Sequence, residues 1–312
     1  MNKQQSQGNL FILASTVLFA LNIPIVKSLT PEWVAPEGLT MFRFAFATFA
    51  FWVVSFFTAK EKVPPRDLLM LFVASLFGMS INQLLFIVGL AATSPIDSSI
   101  ILTVGPVAVM LISAMWLKEP ITFKKAIGVL IGGVGALLIV LSAMRHSGGG
   151  HVSDFTGNVL VFISTVIYAL YLVMIKPYTQ RYGTITLMKW MFLFASITAL
   201  PYCYPYLAVN PEADFDVYLR IFYVVFGATF LAYLFVPLGL KRLRPTTVSM
   251  YNYAQPLIAS FVAILVGQDT LTWEKPVSAV LVFIGVYLVI KSKSRAQMIA
   301  QKQEEEKEKG RL

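Results

Sequence analysis

The sequence predicts an all-α membrane protein of ten transmembrane helices built from two inverted five-helix repeats, and three observations predict it. Apolar residues fill 57% of the 312 positions and charged residues only 13%, with a mean hydropathy of +0.72, a balance that belongs in a bilayer rather than in water. Ten apolar stretches follow one another with short polar breaks, each near the roughly 20 residues that cross hydrocarbon at about 1.5 Å per residue. The chain also matches itself. Gly8-Asn9, Ser15-Thr16-Val17, Ala20-Leu21 and Lys27 return about 149 positions later as Gly157-Asn158, Ser164-Thr165-Val166, Ala169-Leu170 and Lys176. A second ungapped match, at an offset of 150, pairs Pro95 with Pro245, Ser99 with Ser249, Pro106 with Pro256, Thr122 with Thr272, Lys125 with Lys275 and Gly135 with Gly285. Five helices are an odd number, so the second copy crosses in the opposite sense. The apolar runs are continuous and rich in Leu, Val and Phe, which excludes the alternating strands of an outer-membrane barrel.

A short cytoplasmic segment, 1–8, precedes the first repeat, 9–143. Its first span, 9–29, holds Asn22 and Pro24 and lacks the small-residue cleavage site of a signal peptide, so it reads as a retained helix. The second span, 36–57, contains Arg43, and the third, 66–91, contains Asn82 and Gln83. The fourth, 95–117, is interrupted by Thr103 and Pro106. The fifth, 123–143, has Gly128, Gly132, Gly133 and Gly135, which let helices approach closely. A phosphate-cradling loop would need a preceding strand and a following Lys and Ser or Thr, and neither is present. An outer linker, 144–155, separates the halves.

The second repeat, 156–291, follows the same plan, with spans at 156–176, 184–203, 217–240, 245–267 and 273–291, and a charged cytoplasmic tail at 292–312. Its polar interruptions are Tyr168 and Tyr171, Lys189, Tyr233, and then Tyr251, Asn252, Tyr253, Gln255 and Pro256. Tyr251 and Tyr253 point about 200° apart on one helix and cannot both face inward. Trp33, Trp52, Trp116 and Trp273 lie at span ends and read as headgroup anchors.

Charge sets the orientation. With a cytoplasmic amino terminus, nineteen of the 25 basic residues fall on inner segments, while the outer ones hold only Lys27, Arg145, Arg220 and Lys275 among nine acids. Both termini are then cytoplasmic and the protein is multi-pass in the cytoplasmic (inner) membrane. The net charge of +9 is mostly topology scattered over every inner loop, so no nucleic-acid partner is expected. The tail run Glu304-Glu305-Glu306-Lys307-Glu308-Lys309 reads as a solvated helix. The single cysteine, Cys203, excludes an intramolecular disulfide and a cysteine metal cluster.

The stretch Gly89-Leu90-Ala91-Ala92-Thr93-Ser94-Pro95, then Ser98-Ser99, Pro106, Leu117-Lys118-Glu119-Pro120, Lys125, Gly128 and Gly135 resembles the second half of an EamA domain, the repeat unit of the drug/metabolite transporter superfamily. The resemblance covers 8–143 and 157–291. The second copy departs from the pattern where Asp269 replaces Glu119 and Thr270 replaces the following proline. The resemblance implies a ten-helix carrier of small metabolites, often an exporter, in a cytoplasmic membrane.

Counting along the spans places the polar residues in two layers. Asn22, Arg43, Asn82, Gln83 and Thr103 fall roughly 10 to 14 Å below the outer surface, and Tyr171, Lys189, Tyr233, Tyr251, Asn252, Tyr253 and Gln255 roughly 7 to 15 Å from the inner one. Arg43 is the most pointed, because a mid-span cation costs about 2.5 to 3.5 kcal/mol unless it finds a partner. It reads either as a counter-charge for a substrate carboxylate or phosphate, or as a structural tie to Asn22, Asp97 or helix carbonyls. Lys189 reads more simply as a residue that snorkels to the headgroups. The candidate substrate-binding set is Asn22, Arg43, Asn82, Gln83, Thr103, Tyr168, Tyr171, Tyr233, Tyr251, Asn252 and Gln255, an aromatic and amide lining suited to an apolar body with a polar end. Pro24, Pro106 and Pro256 each remove a backbone donor and read as hinges, or else as kinks tolerated by packing.

Catalysis has no support. His146 and His151 bracket a glycine run without a carboxylate at metal-ligand spacing, and no nucleophile sits near a base. No metal and no cofactor are expected. The reading is an integral carrier that moves small metabolites, amino acids or related compounds, outward across the cytoplasmic membrane by alternating access. A non-transporting scaffold or sensor is the rival, and within transport a nucleoside- or sugar-derivative carrier would use the same groups. No carboxylate falls deep in a span, which favours a facilitator or exchanger. Partners are a small-molecule substrate, membrane lipid and, as an open option, a second copy in a homodimer.

Overall fold

Where the polar breaks of the sequence fall on described residues, they separate helices. The computed structural model describes residues 3–92, 100–146, 155–265 and 272–293, with Met298 and Gln303. The described residues fold as α1 (Lys3–Leu29), α2 (Pro36–Ser55), α3 (65–92), α4 (Gly105–Trp116, after a helical turn at 100–102), α5 (Phe123–His146), α6 (Phe155–Arg181), α7 (Thr184–Cys203), α8 (215–242), α9 (245–265) and α10 (Glu274–Ile290). Pro95, Asp97, Ser98 and Ser99 of the expected fourth span, His151, Asp269, Thr270 and the Glu304–Lys309 run lie outside the described residues.

Proline starts several of these helices where its missing N–H costs nothing: Pro36 opens α2, Pro65 opens α3 and Pro245 opens α9. Asp214 caps α8 by accepting the Val217 N–H at 2.9 Å. After α4 the chain turns through Lys118 in the left-handed region, φ 53°. Among the described residues, α1, α2, α3, α6, α7 and α8 are long and apolar enough to cross a membrane, and a shorter apolar helix runs over Ile100–Trp116. Among the described residues, strand pairing is limited to one antiparallel bridge, Val34 to Val209, which joins the loops after α1 and α7.

Helix pairing repeats with the sequence. The most extensive contacts join α5 to α10, α2 to α7, α3 to α6 and α1 to α8. Exchanging every helix for its counterpart five places on leaves this set unchanged. Small residues permit the closest pair: a Cβ on Gly128 would stand 2.8 Å from the Gly285 carbonyl oxygen, and one on Gly285 2.6 Å from that of Gly128.

Local irregularities also fall at matching positions. Both third helices contain π turns, at Leu76–Ser80 in α3 and Tyr223–Leu231 in α8. There Ile81 N–H donates to Leu76 O and Ala232 N–H to Gly227 O, each five residues back. Both fourth helices break ahead of a proline. In α9, Pro256 lacks the N–H that would close on Asn252 O, so Gln255 N–H takes that carbonyl and winds Tyr251–Ala254 into a 3-10 turn. In α4, ahead of Pro106, the Thr103 and Val104 N–H groups likewise reach back three residues, to Ile100 O and Ile101 O.

Two helix lengths differ from expectation. Helix α1 already begins at Lys3, and α6 runs five residues beyond 176 to Arg181. Lys176 does not end that helix, because its Nζ folds back onto the carbonyl oxygens of Leu240 at 2.5 Å and Leu243 at 2.8 Å instead of reaching for water. The main core lies where α1, α2, α3, α6, α7 and α8 meet and includes Ile12, Phe44, Met79, Tyr171, Phe192 and Tyr233.

Candidate functional site

Arg43 stands in the middle of α2 and is buried, 9% exposed. Its Nε donates to Thr229 Oγ1 at 2.9 Å, and Thr229 Oγ1 donates in turn to Val224 O at 2.8 Å. Val224 lies five residues before Thr229, so the π turn of α8 aligns this relay. A guanidinium has five N–H donors. This bond engages one of them, and no carboxylate of a described residue forms an ion pair with Arg43.

One tyrosine links that cation to a cluster of aromatic rings. The Tyr233 phenol is within electrostatic range of Arg43, and its ring packs edge-on against Phe192 at 5.2 Å and Phe19 at 5.8 Å. Tyr168 and Tyr171 have ring centroids 5.6 Å apart, and both are in electrostatic range of Tyr233. Gly78, inside the π turn of α3, makes room for Tyr171: a Cβ there would meet the Tyr171 ring at 2.5 Å.

Two polar atoms of the expected site residues have no protein partner among the described residues. Tyr171 Oη and Asn22 Oδ1 are buried without a hydrogen bond. An orphaned buried polar group costs about 1 to 3 kcal/mol, so each is a place where a ligand or water would be stabilised. Asn22 and Tyr171 are 149 positions apart, which makes them equivalent residues on the first helix of each half.

The other expected site residues divide. Asn82 Nδ2 donates to Ser164 O at 2.8 Å and ties α3 to α6 one turn from Tyr168. Thr103 Oγ1 bonds back to Ile100 O at 2.6 Å, while Thr103 O accepts the Tyr253 hydroxyl at 2.9 Å. Tyr253 is buried and Tyr251 half-buried, as their angular separation requires. Gln255 Nε2 reaches Asn252 Oδ1 at 3.4 Å, a pair internal to α9. Gln83 stands apart from Arg43, on the wall of a cavity of about 160 Å³ between α2, α3 and α7. Pro106 is buried at the start of α4 and Pro256 half-buried, whereas Pro24 is exposed inside an unbroken α1.

Two side chains differ from expectation. Trp52 turns inward against Trp190, with ring centroids 5.4 Å apart, and Lys189 lies over its ring at 5.0 Å, so a cation–π contact takes the place of headgroup anchoring and snorkelling. Trp116 and Trp273 are exposed, as anchors would be. Thr229 and Gly78 escaped notice in the sequence, although Gly78 and Gly227 share the 149-residue offset. So did the buried pair of Lys125 Nζ with Glu119 Oε2 at 2.9 Å, which ties the end of α4 to the start of α5. Nearby, Arg244, between α8 and α9, donates to Val289 O at 2.8 Å and Ser292 O at 3.0 Å, and burial lowers its pKa from the ordinary guanidinium value against the opposing field of Glu119.

The EamA-like transporter family matches this chain twice, over residues 6–141 and 155–291. An uncharacterised transporter of Archaeoglobus fulgidus is 25% identical over 283 residues, 90% of this chain and 98% of the relative. The uncharacterised transporter YyaM of Bacillus subtilis is 23% identical, covering 82% and 85%, and a WAT1-related protein of Arabidopsis thaliana is 24% identical, covering 89% and 83%. A crystal structure superposes with a TM-score of 0.76 over 96% of this chain and 99% of its own, at 17% identity, a likeness of fold. With both halves matched and the relatives aligned nearly end to end, the chain belongs to the EamA-like transporter family of the drug/metabolite transporter superfamily and is a multi-pass membrane transporter, not an enzyme.

Proposed function

We propose that the protein exports small carboxylate-bearing metabolites with an apolar or aromatic body, amino acids or related acids, across the cytoplasmic membrane. Ten spans in two inverted halves, with both termini cytoplasmic, alternate access to one central site. The carrying observation is Arg43: a buried cation with one donor engaged, no carboxylate partner among the described residues and the Tyr233 phenol in electrostatic range. A guanidinium held in this way binds a carboxylate through two parallel hydrogen bonds. Tyr168, Tyr171 and Tyr233 supply the face for the apolar body, and the unpaired Tyr171 hydroxyl and Asn22 oxygen accept its polar substituents. The inner loops hold most of the basic residues, which sets the orientation. The π turns and proline breaks at equivalent places in both halves are the weak points about which rocking halves would bend.

Proteoliposomes loaded with aromatic and aliphatic carboxylates, their amides and nucleosides test this. Flux of carboxylates that falls to background in Arg43→Gln, at unchanged folded yield, is the expected result. Equal flux of acids and amides by the native protein, or acid flux retained by the variant, would overturn it.

A further inference from the structure

We propose that the cleft between α2, α3 and α7 is a second ligand site that takes a small amphipathic amine: one ammonium group on a ring-sized apolar body. The cavity measures about 160 Å³, and a dry cavity of about 150 Å³ is enough to hold a benzene ring. Its length follows from α2. Glu37 lies in the first turn and Phe44 seven residues deeper, about 10 Å at 1.5 Å per residue.

The two ends differ in chemistry. Phe44 and Leu76 line the deep end. Ser80 Oγ and Thr198 Oγ1 are 2.7 Å apart, and Thr198 Oγ1 also reaches Phe194 O at 2.9 Å, so these hydroxyls satisfy each other and leave an apolar wall. At the mouth stands Glu37, the one charged side chain among the described lining residues. Its carboxylate lies within electrostatic range of Tyr202 and Cys203 and pairs with no lysine or arginine of the described residues. An anion would meet this charge unfavourably, and a neutral ring would leave it uncompensated. An ammonium gains a charge-assisted hydrogen bond while its body fills the cavity. Arg43 does not line the cleft, so this site and its charge preference are independent of the anion site.

The test is equilibrium dialysis of 2-phenylethylamine against the full-length protein in nanodiscs, with empty nanodiscs as blank and with 2-phenylethanol and phenylacetate as comparators. Saturable binding of the amine alone is expected, weakened about tenfold or more in Glu37→Gln and retained in Glu37→Asp. Ala199→Phe, which fills the cleft and leaves the carboxylate in place, abolishes it. Three outcomes would overturn the site: no saturable binding above the blank, equal binding of the alcohol, or undiminished amine binding in the Ala199→Phe protein with an intact melting transition.

Discussion

The Tyr253 hydroxyl donates to the Thr103 carbonyl oxygen at 2.9 Å, and the two residues are 150 positions apart, so equivalent points of the two halves bond to each other. Each lies where its helix departs from α geometry, Thr103 at the break before Pro106 and Tyr253 in the 3-10 turn before Pro256. A carbonyl at such a break, outside the regular helix ladder, needs a donor inside a membrane, and here the other half supplies it. Tyr253→Phe should therefore lower stability by about 1 kcal/mol, the scale of interhelical hydrogen bonds in membranes. Tyr251→Phe, at a half-buried position two residues away, should leave the melting temperature unchanged. A thermal melt in detergent compares them, and an equal drop in both would mean that ring packing rather than the hydroxyl matters.

The same two breaks should govern movement. Pro106→Ala and Pro256→Ala restore the missing donors and straighten α4 and α9. Flux should slow more than substrate binding weakens, measured as turnover against dissociation constant in the same proteoliposome preparation. Parallel losses in both quantities would count against bending at these points.

The glycine contact between α5 and α10 gives a packing prediction. A methyl group at Gly285 would stand 2.6 Å from Gly128 O and Gly132 N, all backbone that has no rotamer to yield. Gly285→Ala should cost about 1 to 3 kcal/mol through overpacking. Gly105→Ala meets only the Thr165 methyl at 3.5 Å and should fold normally. Folded yield by size-exclusion chromatography separates the two.

What was legible in the sequence follows from what the bilayer demands. Lipid requires long apolar helices, so the α2, α7 and α10 boundaries lie within two residues of the expected spans, and close helix approach requires small residues, so Gly128 and Gly135 announced their role. Arg43 stood out because a mid-span cation is expensive. Its partner did not, because Thr229 lies 186 residues away and a hydroxyl in an apolar run looks like any other. The π turns were invisible for a related reason: a shift from the fourth to the fifth preceding carbonyl changes hydrogen-bond register without changing composition. Lys176 marks the end of the 156–176 span in the sequence because charge counting assigns a side but cannot see carbonyls left open at the end of a neighbouring helix.

Thr229 turns this hidden contact into a prediction about recognition. By accepting from Arg43 Nε at 2.9 Å while donating to Val224 O, it fixes the rotation of the guanidinium and leaves the two terminal nitrogens for a ligand. Thr229→Val keeps the shape and removes the acceptor, so the guanidinium loses its orientation while its charge remains. The expected outcome is a KM for the carboxylate substrate raised about tenfold, the worth of one charge-assisted hydrogen bond, with kcat little changed and the folded yield preserved. Thr229→Ser retains the oxygen and should restore the native KM. If valine and serine behave alike, the hydroxyl positions nothing and Arg43 is held by packing alone.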